Sequence, residues 1–170
     1  MQLQWKPHPF SNPRKGERIP VYDDSGKLNY LLELAAWRTL PGSHNYYTYE
    51  IFNVSGFKLG TVKKSATALI RVVLDAPDRF SGRLRLHPFK SVKAMSEPHL
   101  TLDFNDWVID GPADIRSFRA VDGAGRFIAQ MKVDPQIAFL DIANPNDALL
   151  ALMVSLGFMS IFDHPYEFIK

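Results

Sequence analysis

The chain has 170 residues, with 20 Lys and Arg, 18 Asp and Glu, and no cysteine. This length suits one domain, which can bury roughly two-thirds of the surface that its unfolded chain exposes. The absence of cysteine excludes a disulfide framework, thiolate catalysis and thiolate metal sites, and it fits a reducing compartment. The net charge of +2 favours neither nucleic acid nor a membrane as a partner.

The charge is distributed unevenly along the chain. Residues 1–95 carry 15 Lys and Arg against 7 Asp and Glu, whereas residues 96–170 carry 5 against 11. A fold can interleave the two segments, so the asymmetry indicates a basic surface without locating it.

The first 18 residues are predicted to form an irregular, Pro-rich arm. The first twenty residues hold Pro7, Pro9, Pro13 and Pro20 among basic residues, with little apolar periodicity, and proline clusters interrupt regular structure. This segment also lacks the apolar core of a secretory signal peptide. Ordered structure is therefore expected from about Ile19, with one domain over residues 19–170 in the cytoplasm.

From there the dominant pattern is a period-two alternation, interrupted by turn residues about every ten positions. Tyr47, Tyr49 and Ile51, for example, alternate with Thr48 and Glu50. Such alternation is typical of antiparallel strands with one buried face, and it predicts about eleven of them.

Three segments share a shape in which Asp or Asn is followed three residues later by Gly. Asp and Asn bond their own turns and Gly takes positive φ without steric cost, so each segment predicts a hairpin. Two interpretations stay open: an internal repeat, or turns that any antiparallel protein contains. The segments are residues 22–28, 52–59 and 120–127.

Residues 145–162 are predicted to form a helix. Asn144 can cap it, Pro145 suits the first helical position, and Asp147 favours the positive end of the helix dipole. Residues 148–162 contain no charge, and large apolar residues surround the axis on every side. No face is suited to water, so the helix must be enclosed by lipid or by protein.

Length favours enclosure by protein. The 15 uncharged residues span roughly 22 Å, short of the ~30 Å hydrocarbon core of a bilayer. A barrel of about eleven or twelve strands has room for a central helix, whereas one of about eight is filled by its own side chains. We therefore predict a mainly β fold, a closed antiparallel barrel wrapped around this helix.

Several segments in a fixed order resemble a known group of proteins. They are YDDSG at 22–26, WVIDGP at 107–112, FRAVDG at 118–123, IAQMK at 128–132 and DALLAL at 147–152. Their order resembles the tubby C-terminal-like superfamily, and within it the LURP-one-related and phospholipid scramblase-like branch. The resemblance covers about residues 19–162.

The resemblance implies a closed antiparallel barrel of about 12 strands around a hydrophobic C-terminal helix. Within the superfamily, tubby proteins bind phosphoinositides through basic residues on strands, scramblase-like members associate with membranes, and many bacterial members have no assigned activity. This chain has no counterpart of the scramblase Cys-rich palmitoylation segment, so the resemblance does not extend to lipid anchoring.

The sequence predicts no catalytic centre, no metal site and no cofactor. The five histidines are far apart in the chain, without the short spacings of a zinc site. The stretch from Asp103 to Asp110 lacks the Gly and the closing Glu of a calcium loop. There is no nucleophile elbow, phosphate-binding loop or dinucleotide fingerprint, so we expect a protein that is not an enzyme.

Residues 58–93 carry nine Lys and Arg against two Asp. Near the middle of this run, strand alternation places Arg83, Arg85 and His87 on one face and Leu84 and Leu86 on the other. The pattern predicts a basic stripe on the barrel wall.

Two arginines of this run would coordinate phosphate, since each offers two parallel donors, and four lysines would add attraction as point charges. Peripheral binding of an anionic phospholipid headgroup is the leading hypothesis. The predicted anion-binding residues are Arg83, Arg85, Lys63, Lys64, Lys90 and Lys93.

Other interpretations remain open. The basic residues can be the polar outer face that any soluble strand needs, and the domain can be a protein-interaction or scaffold module, or a small-ligand carrier. Nucleic acid ranks last, because a single-strand binder interleaves basic residues with exposed aromatics, whereas Arg83 and Arg85 alternate with Leu.

Overall fold

The computed structural model describes residues 1–8, 10–11, 13–39, 45–65, 71–87, 99–112 and 115–162, with residues 37–39 and 45 described by their backbone alone. These ranges contain twelve strands and one α-helix. They are β1 (Gln2–Trp5), β2 (Arg18–Asp23), β3 (Leu28–Thr39), β4 (Asn45–Phe52), β5 (Lys58–Lys64), β6 (Val72–Ala76), β7 (Phe80–Leu86), β8 (His99–Leu102), β9 (Val108–Asp110), β10 (Ser117–Val121), β11 (Phe127–Val133), β12 (Ala138–Ile142) and α1 (Ala148–Phe162).

The strands form a closed barrel in which each strand pairs antiparallel with its neighbours in the sequence, and β1 pairs with β12. The predicted fold class is confirmed. Because direction reverses at every strand, the connections alternate between two ends. We call the end with the β2–β3, β4–β5 and β10–β11 turns the hairpin rim, and the end with the β1–β2 connection the opposite rim.

The predicted irregular arm is wrong for its first residues, because β1 is a strand of the barrel. Leu3 and Trp5 are 0% and 2% exposed and point into the core. Gln4 pairs with Tyr22 of β2 and with Phe139 of β12, so β1 supplies the pairing that closes the sheet. The alternation over four residues was too short to stand out against the prolines that follow.

The three predicted hairpins are confirmed, and their turns share one geometry. In each, an Asp or Asn side-chain oxygen accepts hydrogen bonds from backbone N–H groups two and four residues later, at 2.9–3.0 Å. The glycine three residues later has φ of +78 to +86°, and a register shift lies beside each turn. The turns begin at Asp23, Asn53 and Asp122.

Helix α1 runs from the hairpin rim into the barrel. Asn144 caps a 3-10 turn over Pro145–Asp147 that leads into it, with the Asn144 side chain accepting from the Asn146 backbone N–H at 3.0 Å. Residues 148–161 are all buried, although the stretch Pro145–Phe162 is apolar and long enough to resemble a membrane span. The strands supply the enclosure, as the sequence predicts.

Small residues let the helix approach the wall closely. A Cβ added at Gly157 would lie 3.0 Å from Leu84 Cδ2 and 3.1 Å from Val72 Cγ1. On another side the Phe158 ring packs 5.1 Å from that of Phe118. The buried hydroxyl of Ser155 donates to the Ala151 carbonyl at 2.8 Å, so this polar group has a hydrogen-bond partner inside the core. Sheet and helix therefore form one core.

Leu152→Asp is expected to abolish folding to a soluble protein. Leu152 is 0% exposed in the middle of α1, and an unpaired charge buried there costs several kcal/mol. Soluble yield and the thermal unfolding transition by circular dichroism measure the effect. Gln130→Asp, an equal charge on the exposed face of β11, is the control and should fold normally.

Protonation of Asp23 is expected to lower the free energy of unfolding in acid. The Ser25 and Asn29 side chains and the Lys27 backbone donate hydrogen bonds to its carboxylate and lower its pKa from 3.8 to about 2. A lowered folded pKa means that the stabilisation is complete above the ordinary pKa and is lost as pH falls towards about 2. Urea unfolding between about pH 5 and 2 measures this loss as a decrease in the free energy of unfolding.

Asp23→Asn should make that decline with pH shallower, because the amide keeps an acceptor oxygen and does not titrate. Asn53 already occupies the equivalent position of the β4–β5 turn. Asp24→Asn removes an equal charge nearby and leaves the turn hydrogen bonds intact. If both variants lose stability with falling pH to the same extent, the Asp23 turn does not cause the decline.

Candidate anion-binding surface

The outer faces of β5, β6 and β7 bring basic residues together. The register places Val73 opposite both Lys63 and Arg83, and all three side chains are exposed. Neighbouring strands lie about 4.8 Å apart, so the backbones of Lys63 and Arg83 are roughly 10 Å apart. Arg85 follows on the same face of β7. We call Lys63, Val73, Arg83 and Arg85 the basic wall.

The predicted alternation in β7 is confirmed. Arg83, Arg85 and His87 are exposed, whereas Leu84 is 1% exposed and packs in the core. Leu86 is half-buried and also contacts the core. The basic residues of this strand therefore face the solvent, and its leucines face the core.

Part of the charge of the wall is neutralised by Asp103, which follows β8. Its Oδ2 lies 3.6 Å from an Arg85 guanidinium nitrogen, and its Oδ1 accepts a hydrogen bond from the Arg83 backbone N–H at 2.7 Å. Exposed ion pairs of this kind contribute about 1 kcal/mol or less. Arg85 can therefore exchange this partner for a stronger anion.

Lys63 and Arg83 carry charges that the described residues leave unpaired. Within the described ranges, neither side chain forms an ion pair. Arg71, exposed just before β6, adds a third cation beside them, with its backbone carbonyl accepting from Ser65 N–H at 3.0 Å. Arg71 belongs to the basic run of the sequence but not to the predicted site; its backbone bond to Ser65 and its exposure place it beside the basic wall.

Two imidazoles extend the wall towards the opposite rim. His87 and His99 stack edge to face at 5.5 Å between ring centroids. His87 Nε2 lies 2.6 Å from Thr101 Oγ1, and His99 Nδ1 lies 3.7 Å from an Asp110 carboxylate oxygen. These contacts hold both rings at the surface, next to Arg85 in the sheet.

Lys64 does not belong to this surface, so the prediction that it adds attraction from the outer wall is wrong. Its side chain is 1% exposed and points into the barrel, with Nζ 5.9 Å from the centroid of the Tyr47 ring. Lys63 and Lys64 are consecutive in β5, and consecutive side chains of a strand face opposite sides of the sheet. Only Lys63 can therefore serve an external anion.

Lys90 and Lys93 lie outside the described residues, so their predicted role stays a prediction.

Over the described ranges, no three His, Asp or Glu side chains converge in a way that could hold a metal ion.

The two lysines of β5 are expected to respond differently to charge reversal. Lys63→Glu should change the free energy of unfolding by no more than about 0.5 kcal/mol, as surface substitutions usually do. Lys64→Glu should destabilise by about 3 kcal/mol or more, because it reverses a buried charge. Urea unfolding measures both. Equal effects would contradict the opposite orientation of the two side chains.

Comparison with known proteins shows the fold and leaves the family open. No family model matches the chain, and no curated protein matches it. A protein from Arabidopsis thaliana, solved by X-ray crystallography, is similar in structure with a TM-score of 0.52 and 16% identity. The similarity covers 91% of this chain and 87% of that one. At this identity the likeness extends to the barrel architecture alone.

Proposed function

We propose that this chain is a non-enzymatic binding domain whose basic wall holds anionic phospholipid headgroups at a membrane surface. One observation carries the proposal: Lys63 and Arg83 are exposed on nearby strands, and the described residues leave both unpaired. These side chains place positive charge on one outer face of the barrel, where β6 also exposes the carboxylate of Asp75. The proposed location is the cytoplasm, with peripheral attachment to the membrane.

The wall suits phosphate for chemical reasons. The Arg83 guanidinium offers two parallel donors that match two phosphate oxygens, and Lys63 supplies a point charge. The strands fix the spacing of the two cations, so little backbone ordering is required on binding. Val73, 37% exposed between them, gives the wall an apolar centre that can rest against the interface below the headgroups.

Each basic residue near an anionic surface contributes about 1 kcal/mol, so several are needed for useful affinity. Arg85 and Arg71 supply further charge next to the first pair. Lys90 and Lys93, which follow β7 in the sequence, add attraction at longer range in this proposal. Attraction of this kind is screened by salt, because the Debye length falls to about 8 Å at physiological ionic strength.

Two further points support the proposal. The barrel interior is filled by α1, which leaves the outer wall and the rims for binding. The tubby-like resemblance of the sequence points the same way, since tubby proteins bind phosphoinositides through basic residues on strands. The proposed role therefore needs no cavity and no catalytic group.

Arg83→Glu/Arg85→Glu should abolish most binding to anionic membranes. Sedimentation with vesicles of phosphatidylserine and phosphatidylcholine at low salt measures the partition coefficient. Losing two cations should lower it by at least roughly thirty-fold, at about 1 kcal/mol each. Vesicles of phosphatidylcholine alone should bind neither protein, and added salt should weaken binding by the wild type.

Arg119→Glu/Lys132→Glu is the matched control, because it makes the same change in net charge on exposed positions of β10 and β11. It should bind nearly as well as the wild type. If both double variants bind equally, only net charge matters and the wall is not a site. If the wild type does not bind anionic vesicles, the lipid proposal fails and a protein-interaction module becomes the better account.

A further inference from the structure

The turn between β4 and β5 exposes two apolar side chains at the hairpin rim. Phe57 is 73% exposed and Val54 is 56% exposed, the highest fractions among the large hydrophobic residues that the structure describes. Single apolar residues on a surface are ordinary, but two in one turn form a patch that requires an explanation. We call Val54 and Phe57 the apolar tip.

The two other turns of the same geometry show that the fold does not require apolar residues here. In each turn, the fourth residue after the Asp or Asn donates its backbone N–H to that side chain at 2.9–3.0 Å. This residue is Phe57 in the β4–β5 turn, Lys27 in the β2–β3 turn and Arg126 in the β10–β11 turn, and all three are exposed. The shared geometry uses only the backbone of this residue. The turn itself therefore gives no reason for a phenylalanine.

The turn holds the apolar tip in a fixed conformation. The Asn53 side chain also accepts from the Ser55 backbone N–H at 3.0 Å, and the Asn53 backbone N–H donates to the Phe57 carbonyl at 2.9 Å. Gly56, at φ +86°, completes the turn. A group on a rigid support loses little conformational entropy when a partner covers it, so contact through this tip is efficient.

The charges beside the tip are paired. Lys58, the first residue of β5, pairs with Glu50 at 3.3 Å. A Cβ added at Gly56 would lie 3.7 Å from an Arg18 guanidinium nitrogen, and Arg18 pairs with Glu33 at 3.4 Å. Each of these two carboxylates has a cation next to it, so neither opposes the approach of an anionic surface.

A lipid interface suits this tip better than a protein surface does. Stable protein–protein interfaces bury about 1,200–2,000 Å², far more than two side chains at one turn can supply. A lipid interface adapts to a projecting apolar group, and binding there increases with the buried apolar area and with attraction between cations and anionic lipids. The basic wall supplies that attraction, since Lys63 of β5 lies six residues after Phe57, about 20 Å along the chain.

We propose that the apolar tip inserts Val54 and Phe57 into the interfacial region of a bilayer. The inference rests on the proposed function and adds to it the element that enters the membrane. The basic wall holds the headgroups at one end of β5, and the tip enters the interface at the other. The domain therefore lies with β5 along the bilayer.

The first test exchanges the tip for the residues of another turn. Val54→Asp/Phe57→Lys introduces the residue types of Asp24 and Lys27, which occupy the equivalent positions of the β2–β3 turn, and leaves the net charge unchanged. The variant should show the same thermal unfolding as the wild type. Its partition coefficient on vesicles of phosphatidylserine and phosphatidylcholine should fall at least roughly tenfold, at low and at physiological salt, because apolar contact is not screened.

The second test does not depend on the basic wall. The chain has no cysteine, so Phe57→Cys, Lys27→Cys and Arg126→Cys each create one site for the fluorophore NBD. An N-terminal His tag holds each protein on phosphatidylcholine vesicles that contain a nickel-chelating lipid. NBD at position 57 should shift its emission to shorter wavelength and be quenched by nitroxide groups on the lipid chains. NBD at positions 27 and 126, on the same rim, should remain in water.

The results separate this inference from the proposed function. Insertion of NBD at position 57 in the tethered protein supports the inference even if the wild type does not bind anionic vesicles, a result that defeats the proposed function alone. The inference is overturned, and the proposed function is not, if the wild type binds anionic vesicles while the three labels behave alike. Equal partitioning of the wild type and Val54→Asp/Phe57→Lys overturns it as well.

Discussion

Enclosure of α1 by the closed sheet is the constraint on which the rest of the structure depends. Residues 148–161 are buried on every side of the helix axis, so no strand can leave the barrel without exposing apolar surface. Burying each large apolar side chain contributes about 1.5–3 kcal/mol before conformational entropy is subtracted. The helix also occupies the space in which other barrels bind ligands, and binding is therefore left to the outer surface.

The alternation of strands then decides which charges reach that surface. In β5, Lys63 faces the solvent and Lys64 faces the core, although the two are adjacent in the chain. The basic wall is assembled from three strands. The strand register aligns Lys63, Val73 and Arg83 across their outer faces.

Prediction from sequence was most successful where the signal is local. The helix from Pro145 to Phe162 and the turns at Asp23, Asn53 and Asp122 follow from capping residues, an uncharged apolar run and Asp or Asn before Gly. These patterns act within a few residues, so the sequence contains their whole cause. The N-terminal strand was missed because Gln2–Trp5 is stabilised by β2 and β12, which are distant in sequence.

By itself, the sequence determined that the chain builds a mainly β domain around an apolar helix, because helix and strand periodicities and turn chemistry are properties of short segments. It also determined that residues 58–93 are basic. Only the tertiary structure decided that Arg71 lies beside the basic wall, that Lys64 faces the core, and that Gln2–Trp5 forms a strand of the barrel. Those outcomes depend on strand register and on closure between β1 and β12, which are fixed by packing across the whole barrel.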